Sequence, residues 1–172
     1  MRKFALAATL ALACTLALGA CSNQGQNSSQ QAAASSQATA QTLTRPTDPT
    51  DSAAWGKYLS QVLSQHLQGM TASRPYPYLV PAGASSAVVA ERSRQLDSVT
   101  GVVLRGVTPG NLLAFGGPSS KDTAALIEAA FKDATAGSMK GVIVLFIGDQ
   151  ADSAAVQAAV KASGATYRFV QM

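Results

Sequence analysis

The chain has 172 residues, 47% hydrophobic, 6% aromatic and 13% charged, with 13 Lys and Arg against 9 Asp and Glu, one histidine and two cysteines. That length holds one globular domain with tails and excludes a large multidomain enzyme, and the apolar content excludes a chain too polar to fold. The formal charge of +4 includes Arg2 and Lys3 in a leader; without them 11 basic residues face 9 acidic ones, which is no nucleic-acid footprint.

Arg2 and Lys3 precede an apolar stretch from Phe4 to Leu18, rich in Ala and Leu. A membrane span needs roughly 20 apolar residues, so this stretch and its flanks read as a secretory signal. It ends in Leu18-Gly19-Ala20-Cys21, followed by polar Ser22-Asn23-Gln24. In these residues the chain resembles a bacterial lipoprotein precursor with its lipobox. The resemblance covers about the first 22 residues. It implies cleavage before Cys21, a diacylglycerol on that sulfur, and an acyl chain such as palmitate on the new amino group. It further implies that Ser22 after the cysteine favours the outer membrane of a Gram-negative cell, with the domain facing the periplasm. Cys14 would leave with the signal peptide and Cys21 would be consumed by lipid, so the domain would fold with neither thiol nor disulfide.

Ser22 to Thr50 is mostly Gln, Ser, Ala, Thr and Asn with Leu43 as its one large apolar residue, and ends in Arg45-Pro46-Thr47-Asp48-Pro49, a composition that reads as a tether. As a flexible coil of about 29 residues it would span roughly 30 Å r.m.s.. The expected organisation is a signal peptide at 1–20, a lipidated cysteine and tether at 21–50, and a periplasmic α/β domain at 51–172.

Trp55, Leu59, Val62, Leu63, Leu67 and Met70 recur at helical spacing, with Asp51 or Ser52 as N-cap. Three continuous apolar runs then each meet a Gly/Ser segment. They are Tyr78–Val80 before Gly83–Ser86, Leu112–Phe115 before Gly116–Ser120, and Val142–Ile147 before Gly148–Ser153. Each reads as a buried strand, a tight loop and a helix N-cap. The spacing predicts a helix over about 86–105 with Val89, Leu96, Val99 and Val103 inward. The alternative there is a strand at Gly101–Leu104 turning at Thr108–Asn111. A third helix follows Ser119 with Ile127, Ala130, Phe131 and Ala134 inward, and a fourth runs from Asp152 or Ser153 to Ser163 with Ala155, Val156, Ala159 and Val160 inward. Tyr167–Val170 closes the chain as a strand. The result is a small three-layer α/β domain: a mainly parallel sheet of about four strands, βαβαβαβ, preceded by one amphipathic helix.

Strand-to-helix loops of such a sheet gather at its carboxyl edge, where helix N-termini favour anions. Gly83, Ser85, Gly116, Gly117, Ser119, Gly148 and Asp149 are therefore the candidate ligand-binding residues, although turn formation and capping explain the same residue types. No loop completes a dinucleotide or Walker A pattern, and Gly83-Ala84-Ser85-Ser86-Ala87 lacks the last glycine of a nucleophile elbow. No catalytic residue is assigned. The single histidine, His66, sits at the edge of the first apolar stripe, and no metal or cofactor is called for. Tyr76 and Tyr78, beside three prolines, form a candidate protein interface. The functional expectation is a lipid-anchored, non-enzymatic interaction or accessory module with an envelope protein partner, in secretion or assembly machinery or as an immunity or inhibitor protein. The alternative is a small-ligand-binding or hydrolytic domain using the Gly/Ser loops.

Overall fold

The computed structural model describes residues 43–172; the leader, Cys21 and most of the tether lie outside the described residues. Four helices and four strands follow in chain order: α1 (Ser52–Ser64), β1 (Tyr76–Leu79), α2 (Ser86–Arg105), β2 (Leu112–Gly116), α3 (Ser120–Phe131), β3 (Ile143–Gly148), α4 (Gln150–Lys161) and β4 (Thr166–Gln171). All three strand pairs are parallel, and spatial order equals chain order, β1-β2-β3-β4. The α/β expectation is met, and 86–105 is one helix, closed by Gly106 at φ 76°.

Side-chain alternation divides the core into two. Leu113, Phe115, Val144 and Phe146 point to one face, against Val99 and Val103 of α2, Ile127 and Phe131 of α3, and Val156 and Val160 of α4. Leu112, Ala114, Ile143, Leu145 and Ile147 point to the other, where Trp55, Tyr58, Leu59, Val62 and Leu63 of α1 cover them. Both central strands are buried throughout, which is why they read as unbroken apolar runs. Right-handed crossovers between successive neighbours place every crossover helix on one face, so a single helix suffices on the other.

The sequence reading misplaces some helix faces. Val89 is 48% exposed, about two turns before Leu96, where the stripe continued by Val99 and Val103 first meets the core, and Ala155 points to solvent while Val156 and Val160 are buried. Residues 43–50, read as the end of the tether, lie on the domain instead. Leu43 packs against the α1-side core, and the Trp55 indole donates to Asp48 O at 2.9 Å. Arg45 donates to Pro118 O at 3.2 Å with its guanidinium 5.5 Å from the Trp55 ring centroid. A large aromatic at the start of α1 gives this polar stretch the apolar surface that its own composition lacks.

Candidate functional site

The sheet does bring the Gly/Ser loops to one edge, and each loop is occupied by its own packing. Ser85 Oγ accepts from Val88 N–H at 3.4 Å and Ser119 Oγ from Asp122 N–H at 3.1 Å, so both cap their helices. Buried Ser120 ties the next two elements together: its Oγ accepts from Asp149 N–H at 2.7 Å and donates to the Asp152 carboxylate. At the start of α4 the Gln150 N–H is taken by Gln171 Oε1 at 2.9 Å. Asp149 makes no side-chain cap; its carboxylate faces Arg45 at 3.9 Å. Much of the anion-binding capacity of three helix N-termini is thus spent inside the domain.

The glycines have packing reasons as well. A Cβ on Gly117 would strike the Val80 carbonyl oxygen, and one on Gly116 would lie 3.0 Å from Leu59 Cδ1. At Gly148 the neighbours are the Phe146 ring and Ser120 Oγ, the latter at 2.7 Å. Gly83 differs, with open surroundings and a φ of 124° that serves the turn. A ligand crevice in an open parallel sheet forms where strand order reverses, and here it never does. At this edge lies a cleft of about 190 Å³ lined by Pro49, Trp55, Leu79, Pro81, Val88 and Pro118, with Glu91 among its lining residues.

Arg92 is a residue the sequence reading passed over. It donates to Pro81 O at 2.9 Å and to the Asp122 carboxylate at 3.1 Å, pinning the β1–α2 loop to α3. Nothing in the local pattern separates it from the other arginines of an exposed helix face.

Tyr76 and Tyr78 stand at the opposite edge of the sheet. Tyr76 is 51% exposed. Tyr78 is half-buried and stacks on Phe115 with centroids 4.8 Å apart, so the two candidates divide into one surface residue and one core flank. Burial, and secondarily the neighbouring Tyr76 phenol, push the Tyr78 hydroxyl above the ordinary tyrosine range. Both line a pocket of about 230 Å³ with Arg105, Thr108 and Asn111.

His66 lies just beyond α1, and its Nδ1 is 2.8 Å from Val62 O. The Arg168 side chain that closes on its carbonyl comes from β4, near the start of β3. This is the amino edge, whereas Ser85, Ser119 and Ser120 are at the carboxyl edge, so no serine–histidine pair is assembled. Among the described residues no three His, Cys, Asp or Glu side chains converge as a metal-binding group. The comparisons with known proteins found no matching family model, curated protein or solved structure.

Proposed function

We propose that the chain is the precursor of a lipid-anchored protein of the outer membrane whose periplasmic domain is a non-enzymatic interaction module. The observation that carries this reading is the run Leu18-Gly19-Ala20-Cys21 after a basic and apolar leader. Its partner would be an envelope protein, in secretion or assembly machinery or as the target of an immunity or inhibitor role. The domain supports the reading in two ways. Its Gly/Ser loops spend their caps and close contacts on one another, which suits a scaffold better than a reaction site. The chain also enters the domain beside Pro118 and Asp149, so the amino edge with exposed Tyr76 is the end farther from the tether's attachment. That end is clear of residues 43–50, so a partner bound there would displace none of their contacts.

The test is radiolabelled palmitate incorporation with membrane fractionation, comparing the natural chain with Cys21→Ser. Loss of label in the variant, with the protein left soluble or as the unprocessed precursor, supports the anchor. Label, processing and membrane association all unchanged in Cys21→Ser refute it.

A further inference from the structure

Charge is divided along the strand direction. The strands are parallel and the helices run back against them, so the three crossover helices end at the amino edge, where the strands begin. Arg105, Lys132 and Lys161 stand at those helix ends. Arg74 and Lys140 lie in the loops before β1 and β3, and Arg168 reaches the same edge to donate to the His66 and Gln68 carbonyls. Against these six cations the edge has Asp133, with Glu128 one turn back on α3. The carboxyl edge has the opposite balance: Asp48, Asp51, Glu91, Asp122, Asp149 and Asp152 against Arg45, Arg92 and Lys121. The ion pairs Arg45–Asp149 and Arg92–Asp122 are both at that acidic end, and no amino-edge cation has a carboxylate within ion-pair distance among the described residues. The negative ends of helix dipoles account for Arg105, Lys132 and Lys161, and the two carbonyls for Arg168. Arg74 and Lys140 have neither reason; both are exposed on loops.

Hydrogen bonds through Gly110 gather those loops. Its carbonyl accepts from the Thr71 and Ala72 N–H groups at 2.9 and 3.0 Å, and its N–H donates to Gly141 O at 2.7 Å. The segments bearing Arg74 and Lys140 are thereby fixed on the two sides of the α2–β2 loop. That loop and the end of α2 wall the pocket of about 230 Å³ beneath Tyr76 and Tyr78. Val102, Val107 and Leu113 make its lining apolar, while Arg105 adds a guanidinium with no carboxylate partner among the described residues. A concave aromatic pocket is thus set among unpaired cations from three separate segments.

We propose that the amino edge docks an acidic polypeptide segment of the partner: an apolar side chain enters the Tyr76–Tyr78 pocket, and carboxylates beside it face Arg105, Arg74 and Lys140. The inference rests on the reading of the domain as an interaction module and adds the chemistry of its partner. Charge complementarity selects the sign of the occupant, and the pocket selects its class. A free anion would leave the aromatic wall unfilled, and a phospholipid surface brings headgroups to the charges but no side chain to the pocket. An acidic segment supplies both. Exposed tyrosine beside arginine is the pairing of residue types that concentrates binding energy in protein interfaces. The charge division also orients the encounter, because the acidic carboxyl edge repels the segment that the basic amino edge draws in.

The experiment is photocross-linking in the cells that make the protein, with the full-length chain carrying a benzophenone amino acid in place of Tyr76. That is an aromatic exchange at a half-exposed position. A second chain carries the same group in place of exposed Lys121 at the carboxyl edge. The expected result is an adduct from position 76 whose linked partner peptide holds more Asp and Glu than Lys and Arg. Arg105→Glu is expected to cut that adduct at least about tenfold. Lys140→Glu, at an exposed loop position away from any helix end, is expected to do the same with thermal unfolding unchanged. Arg94→Glu makes the same charge change about 16 Å back along α2 and is expected to leave the adduct intact. A linked peptide without an acidic excess, an adduct to phospholipid, or an adduct that survives either amino-edge charge reversal overturns the proposal. An adduct from position 121 alone overturns it too, while the interaction-module reading stands; no adduct from either position overturns both.

Discussion

Gly117→Ala separates a packing glycine from a ligand-cradling one. An added Cβ would lie against the Val80 carbonyl, with the Val80 carbon at 3.1 Å and its nitrogen at 3.3 Å. These are backbone atoms, so relief requires the end of β1 to move by about 1 Å, at the overpacking cost of roughly 1–3 kcal/mol. The movement also strains the Val80 N–H bond to Gly116 O, 2.9 Å long, whose loss adds about 1 kcal/mol. The expected destabilisation is about 3 kcal/mol, which lowers Tm by roughly 10 °C in a domain of this size. Urea and thermal denaturation of the two proteins measure it. Gly56→Ala is the matched control: Gly56 lies inside α1 with nothing within 4 Å of the added carbon. The same chemical change there is expected to stabilise by about 0.5–1 kcal/mol. If Gly117→Ala stays within about 0.5 kcal/mol of the natural chain, the close-contact account of this loop fails, because that is the range of inconsequential surface changes.

Ser120→Ala leaves the Asp149 N–H without its acceptor and Asp152 without its donor at a site that is 4% exposed. A loss of roughly 1–3 kcal/mol is expected in the same denaturation assay, and no loss would mean that water replaces the hydroxyl. Burial raises the pKa of Tyr58, Tyr78 and Tyr167 above the ordinary value of 10.0. The folded state therefore holds these protons more tightly than the unfolded state. Their contribution is fully present below about pH 10 and is lost as pH rises through the folded pKa values. Phenolate absorbance should show these residues ionising late or together with unfolding; complete ionisation near pH 10 with the fold intact would contradict the burial.

Legibility in the sequence followed burial. Val144 to Ile147 and Leu112 to Phe115 are covered on both sides, so their residue types alone announced a parallel sheet. Ser85 and Ser119 were legible because helix caps are local chemistry. Val89 misled because helical periodicity gives a stripe without saying how far a neighbouring element extends along it. The hold of Arg45 on Pro118 and Asp149 spans 73 and 104 residues of sequence, and no local pattern encodes such a contact. The candidate ligand residues were found as an edge cluster, but their mutual satisfaction depends on Ser120 reaching 29 residues ahead to Asp149. That distance is set by the sheet and not by spacing in the chain.

The coincidence of chain order with strand order also bears on how the domain is made. Each strand pairs with the one that precedes it, so every strand–helix segment docks on an edge already formed, and none must be inserted between older neighbours. Parallel sheets are ordinarily slow to assemble because distant segments must meet before any contact rewards them. Here the longest wait is one crossover, and a chain delivered from its N-terminus can build its sheet as fast as it arrives.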